Sequence, residues 1–157
     1  MIEIKLAEIK DIGVIVELLN EVTLQLHEKG INQWVYPCNS LEIEMGIREA
    51  QIYVLIVDDI IVGTFSLKPI DNLATLLIEA NSSYLFRVAI LPEYQGKSLG
   101  VELVNYACEH SRKLKNTLYL DCWAGNKKLR KFYSNAGFDF LGDFPEEDYF
   151  ISVFRYK

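Results

Sequence analysis

The sequence predicts one α/β domain, residues 1–157, built on a mixed sheet. Three observations lead there. Short runs rich in β-branched residues alternate with segments whose apolar residues recur every three or four positions. No linker, repeat or low-complexity stretch interrupts the chain. At 157 residues, half of them apolar, it has the size of an ordinary domain and enough apolar material for a core.

The elements follow in order. Ile2 to Leu6 alternates loosely and reads as a first strand. Asp11 can cap a helix carrying Ile15, Leu18, Leu19, Val22 and Leu26 on one stripe, which Gly30 ends. A loop with Trp34, Tyr36 and Pro37 follows, and Ser40 can cap a second helix to about Ala50. Gln51 to Val57 and Ile60 to Leu67, separated by Asp58-Asp59, form an antiparallel hairpin. Tyr84 to Ile90 is almost unbroken apolar sequence, as expected of a strand buried on both faces. A helix from about Ser98 to Lys113 turns Leu103, Val104, Ala107 and Cys108 inward. Thr117 to Asp121 is the next strand. Asn126 opens a helix with Leu129, Phe132, Tyr133 and Ala136 on one face, and Gly137 stops it. Phe138 to Leu141 and Tyr149 to Tyr156 close the chain as strands around the acidic Glu146-Glu147-Asp148.

Composition narrows the function. The net charge of −6 argues against nucleic acid as a main partner. No apolar run reaches the roughly 18 residues of a membrane span, and Met1-Ile-Glu-Ile-Lys does not read as a signal peptide. The odd, scattered Cys38, Cys108 and Cys122 fit reduced thiols, hence a cytoplasmic setting. With two histidines and no Cys-x-x-Cys pair, no metal site is expected. Charge is unevenly spread: from Gln95 to Lys131 eight basic residues face three acids, a local +5 that leaves −11 elsewhere. A basic island in an acidic chain points to an anionic ligand, although solvated helix faces give the same pattern.

The most informative stretch is Pro92-Glu-Tyr-Gln-Gly-Lys-Ser-Leu-Gly100, between a buried strand and a helix. Such a loop turns backbone N–H groups toward one point, and the helix start adds a positive dipole end suited to phosphate. Gly96-Lys97-Ser98 echoes an ATP-binding P-loop, but position 91 is Leu91 where that motif needs glycine. The dinucleotide G-x-G-x-x-G pattern fails as well.

The loop resembles that of the GCN5-related N-acetyltransferases (GNAT). Their signature, Gln/Arg-x-x-Gly-x-Gly/Ala, is met by Gln95-Gly96-Lys97-Ser98-Leu99-Gly100 except at Ser98, where glycine is usual. The approach Arg87-Val-Ala-Ile-Leu-Pro-Glu-Tyr94 is similar to the strand and turn before that signature. Asn126, Tyr133 seven residues on, and Gly137-Phe138 follow a second pattern of the family. The resemblance is strong from Tyr84 to Phe138 and weaker before. It implies a central, mostly antiparallel sheet with one parallel strand pair and flanking helices. It also implies N-acetyl transfer from acetyl-CoA to a primary amine on a small molecule, peptide N-terminus or lysine, with a homodimer as one possibility. A non-catalytic acyl-CoA-binding module is the alternative.

The resemblance also implies residue roles. Val88, Ala89 and Ile90 would pair with the pantetheine arm, and their N–H groups would meet the oxyanion. Gln95, Gly96, Lys97, Ser98, Leu99 and Gly100 would hold the pyrophosphate, and Phe132 would lie along the cofactor. Tyr133 would donate a proton to the departing thiolate, or serve as a core aromatic. Asn126 would touch the cofactor arm or cap its helix. Where some members carry a basic glutamate, this chain has Tyr84, so water, Tyr84 or a carboxylate from elsewhere takes that role. Gln33, Trp34 and Tyr36 lie where the family builds its acceptor wall. Cys122, with no histidine beside it, reads as a structural thiol.

Overall fold

The computed structural model describes residues 1–31 and 33–157. Among these residues it has seven strands, β1 (Ile2–Leu6), β2 (Ile52–Val57), β3 (Ile60–Ile70), β4 (Ser82–Ile90), β5 (Thr117–Trp123), β6 (Asp139–Glu146) and β7 (Tyr149–Tyr156). Four α-helices join them: α1 (Ile12–Glu28), α2 (Ser40–Arg48), α3 (Leu99–Lys113) and α4 (Lys127–Asn135). The strands form one mixed sheet in the order β1-β2-β3-β4-β5-β7-β6. Its parallel pair is β4 with β5, in register from Ser82↔Thr117 to Tyr84↔Tyr119. The chain divides into two compact units, residues 1–67 with 87–103, and residues 68–86 with 104–157.

In the first unit the stripe read from the sequence becomes the core. Ile15, Leu18, Leu19 and Val22 of α1 pack with Ile43 and Ile47 of α2, Ile52 and Val54 of β2, and Ala89 of β4. Trp34 and Cys38 are partly buried against this cluster. Asp58 and Asp59, at φ 49° and 67°, make the two-residue turn that matches the twist of the β2–β3 hairpin.

The caps differ from expectation. Asp11 does precede α1, but its carboxylate accepts the Glu8 N–H at 2.8 Å, closing the 3-10 turn Ile9–Asp11 instead of capping the helix. Asn39, not Ser40, caps α2, its Oδ1 accepting the Leu41 N–H at 2.9 Å. Both residue types favour the cap position, so the adjacent pair left that choice to the incoming loop.

In the second unit β7 pairs with both β5 and β6. β6 runs five residues past its expected end at Leu141. The Leu141-Gly142 step is a β-bulge: Phe140 faces Phe154 and Gly142, at φ 138°, faces Val153. β4 also departs from the doubly buried strand expected. Leu85, Ala89 and Ile90 are buried, whereas Tyr84 and Phe86 are half-exposed and stacked at 5.3 Å, with the Lys68 ammonium over both rings.

Candidate active site

The first unit carries the end of β4 and the phosphate-type loop. Arg87 sits at φ 51°, a left-handed kink inside the strand, which for a side chain with a Cβ costs on the order of 1–2 kcal/mol. Val88 follows half-buried, then Ala89 and Ile90 buried. Gly63 on β3 permits a close approach: a Cβ there would lie 3.2 Å from the Ala89 carbonyl and 2.7 Å from Ile90 Cδ1. The Leu91 N–H then bonds to the Val62 carbonyl at 2.8 Å.

Beyond Leu91 a 3-10 turn, Pro92–Tyr94, delivers the loop. The Gln95 side-chain amide donates to the Ile90 carbonyl at 2.9 Å and to Gln25 Oε1 at 3.1 Å, tying the loop to the strand end and α1. Gly96 and Ser98 have φ 78° and 64°, with Lys97 between them on the ordinary side. Alternating hands of this kind turn successive amides toward one point, a concavity suited to anions. Ser98 adopts this geometry despite its Cβ. Residues Gln95 to Ser98 are exposed, and buried Leu99 anchors the start of α3, whose first-turn N–H groups have no partners within the helix. The Lys97 ammonium lies 5.2 Å from the Tyr94 ring.

The same unit holds a cavity of about 540 Å³ bordered by Leu19, Thr23, Gln33, Trp34, Cys38, Glu42 and Arg87. Arg87 donates to Glu42 at 2.5 Å across its rim. Gln33 Oε1 is buried without a hydrogen-bond partner, an acceptor held open for a donor. Of the three wall residues expected, Gln33 and Trp34 border this cavity, whereas Tyr36 is exposed. The Trp34 carbonyl accepts from His27 Nε2 at 2.8 Å, which gives that histidine a structural task.

The second unit carries the remaining predicted residues. Asn126 is a buried N-cap whose Oδ1 accepts the Leu129 N–H at 3.1 Å. Tyr133 is buried, its ring edge-on to Phe132 at 5.2 Å and near Phe138 and Phe154 at 5.9 Å. It is therefore the core aromatic that periodicity expects. Burial also raises its hydroxyl above the usual tyrosine range, so it stays protonated and able to donate. Cys122 is buried and its thiol pushed up to about 12, which removes the thiolate a covalent route requires.

One pair on β4 and β5 stands out. Tyr84 Oη donates to Asp121 Oδ1 at 2.8 Å. Burial pushes the Asp121 carboxyl up to about 6, with Glu146 contributing in the same direction and the Tyr84 hydrogen bond opposing. The hydroxyl of Tyr84 is in turn raised by burial and by Asp121.

The sequence profile of the acetyltransferase (GNAT) family matches residues 16–138. The chain belongs to that family. Solved GNAT folds match nearly its whole length. An acetyltransferase of Streptococcus agalactiae is 19% identical, with 98% of this chain and 94% of that one aligned at a TM-score of 0.83. The PaiA N-acetyltransferase of Thermoplasma acidophilum, solved in complex with coenzyme A, is 20% identical over 99% of both chains at 0.75. YncA of Salmonella typhimurium, a putative acetyltransferase solved with its cofactor acetyl-CoA, is 15% identical over 100% and 94% at 0.77. No curated protein matches the chain.

Within this GNAT chain the predicted cofactor residues Val88 to Ile90 and Gln95 to Gly100 all fall in the first unit, and Asn126, Phe132 and Tyr133 in the second. In the sequence Asp121 enters only as a charge at the end of a strand. A signal was present: β5 buries Leu118, Leu120 and Cys122, so an acid between them stands out. Its partner Tyr84, 37 positions away, supplies the meaning only once β4 and β5 pair. Among the described residues no helix is long and apolar enough to cross a membrane.

Proposed function

We propose that the chain, acting as one acetyltransferase domain over residues 1–157, moves an acetyl group from acetyl-CoA to a primary amine by direct attack in a ternary complex. The observation that carries this reading is the Gln95–Gly100 loop, with Gly96 and Ser98 in left-handed geometry at the start of α3 in a GNAT-family chain. Loop amides and the α3 dipole end receive the pyrophosphate, and Lys97 adds charge beside it. Gln95 serves by bracing the loop, since its amide is engaged with Ile90 and Gln25. Backbone groups of Val88 to Ile90 pair with the amides of the pantetheine arm. They also present N–H donors to the developing oxyanion, a role worth about 3–4 kcal/mol for one good donor. Tyr133, held protonated by burial, donates to the departing sulfur.

The cavity beside Gln33, Glu42 and Arg87 receives the acceptor. An acceptor N–H would satisfy Gln33 Oε1, and the acidic remainder of the chain suits a cationic amine. Support for the cofactor comes from the relatives solved with coenzyme A and with acetyl-CoA.

The test is thiol release from acetyl-CoA against a panel of small amines, peptides and lysine derivatives, with mass detection of the acetylated product. Wild type is expected to turn over at least one amine, and Tyr133→Phe to lose about 100-fold or more in kcat with coenzyme A affinity retained. Binding without turnover of any amine would favour a cofactor-binding module instead. Absence of binding would defeat the proposal.

A further inference from the structure

The basic glutamate that some family members carry is missing, since Tyr84 stands at its position. The same strand pair offers another proton acceptor. We propose that Asp121 is the general base of the transfer, a catalytic residue on β5 oriented by the Tyr84 hydroxyl on β4. This rests on the acetyltransferase reading above.

The geometry comes first. Tyr84 Oη donates to Asp121 Oδ1 at 2.8 Å, which fixes one carboxylate oxygen and leaves the second to meet an incoming proton. A carboxylate held only to anchor a fold is ordinarily paired with a cation or saturated by backbone N–H groups. Asp121 instead carries a neutral hydroxyl in a half-buried position. Tyr84 stacks on Phe86 with Lys68 above both rings, so the orienting side chain is itself held in place.

The groups that face Asp121 set its charge. Tyr84 lies on β4, Cys122 beside it on β5, Tyr133 on α4, Glu146 at the end of β6 and Tyr149 at the start of β7. Tyr84, Cys122, Tyr133 and Tyr149 all have raised pKa values and stay neutral near pH 7. Glu146 pushes Asp121 in the same direction as burial does. A carboxyl so placed is ionised at neutral pH yet willing to be protonated, which is what a base needs.

The step balances without another reagent. One proton passes from the acceptor ammonium to the Asp121 carboxylate. The freed nitrogen lone pair forms the C–N bond to the acetyl carbon. The C–S bond breaks, its electron pair going to sulfur, which takes a proton from Tyr133. The nitrogen, which still carries two protons after the bond forms, gives one up as the amide forms. That proton and the one on Asp121 restore Tyr133 and leave a net release of one proton to water.

Three variants test this with the most active amine of the panel. Asp121→Asn, which keeps shape and the Tyr84 hydrogen bond, is expected to lower kcat at pH 7.5 by about 100-fold or more while binding coenzyme A as wild type does. In wild type, kcat/KM should fall as pH drops through about 6, and this limb should vanish in Asp121→Asn. Tyr84→Phe should keep the limb but move it to higher pH, because the lost hydrogen bond had been lowering the Asp121 pKa. A purely structural role would leave that limb where it is. Asp121→Glu should recover part of the lost rate. If Asp121→Asn folds and retains kcat within threefold, or if Tyr84→Phe leaves the limb unmoved, the assignment is overturned while the acetyltransferase reading stands. If wild type acetylates no amine, that reading fails and the base assignment fails with it.

Discussion

A carboxyl group that ordinarily titrates near 3.8 but is pushed up to about 6 at Asp121 keeps its proton in the folded chain over a range where the unfolded chain has released it. The folded state then binds more protons than the unfolded one, so stability falls as pH rises from about 4 to 6 and stays reduced above. At about 1.4 kcal/mol per pKa unit the penalty is on the order of 2–3 kcal/mol at pH 8. Asp121→Asn removes the charge and is expected to raise Tm at pH 8 by several degrees, with little change near pH 4. Thermal melts at both pH values read this directly, and an unchanged Tm at pH 8 would mean that the carboxylate is well solvated. At this scale the sequence was legible where chemistry is announced by spacing. Tyr133 could be singled out because Asn126 and Gly137-Phe138 frame it. Asp121 is visible only as an acid in an apolar strand, because its meaning depends on a hydroxyl contributed by another strand.

Elements were read better than their ends. Hydrophobic period placed α1, α3 and the hairpin, since burial of one face is decided by sequence alone. Caps shifted by a residue where neighbours compete, as at Asn39 and Ser40, and β6 runs past Leu141 through a bulge that breaks its alternation at Gly142. What the sequence hid was close approach. Gly63 matters because β3 lies against the end of β4, with the Ala89 carbonyl 3.2 Å and Ile90 Cδ1 2.7 Å from where a Cβ would stand. Gly63→Val is therefore expected to destabilise by about 1–3 kcal/mol through overpacking, despite the better strand propensity of valine. Because Ala89 and Ile90 belong to the segment proposed to hold pantetheine, coenzyme A affinity should fall as well. Denaturant melts and coenzyme A titration of the variant measure the two effects. Full stability would show that Ile90 rotates away without strain.

Over the whole molecule, charge separates along the sequence more sharply than the net value of −6 conveys. The segment from Gln95 to Lys131 carries +5 and the rest −11. Acetyl-CoA is a polyanion whose approach to the acidic chain as a whole is opposed, so capture depends on the local field of the basic segment. Attraction between exposed charges is screened over about 8 Å at physiological ionic strength and about 3 Å at 1 M. Raising sodium chloride from 0.05 to 0.5 M is therefore expected to increase KM for acetyl-CoA several-fold. The value of kcat should hardly change, because the proton donor proposed for the later steps, Tyr133, is buried where salt does not reach. A cationic acceptor drawn to the acidic remainder should lose affinity over the same range, whereas a neutral or anionic amine should not. The comparison of acceptors thus separates the two fields. If KM for acetyl-CoA stays flat across the salt series, backbone amides of the loop carry recognition without help from the lysines. If only the acceptor term moves, the acidic part of the chain is what selects the substrate.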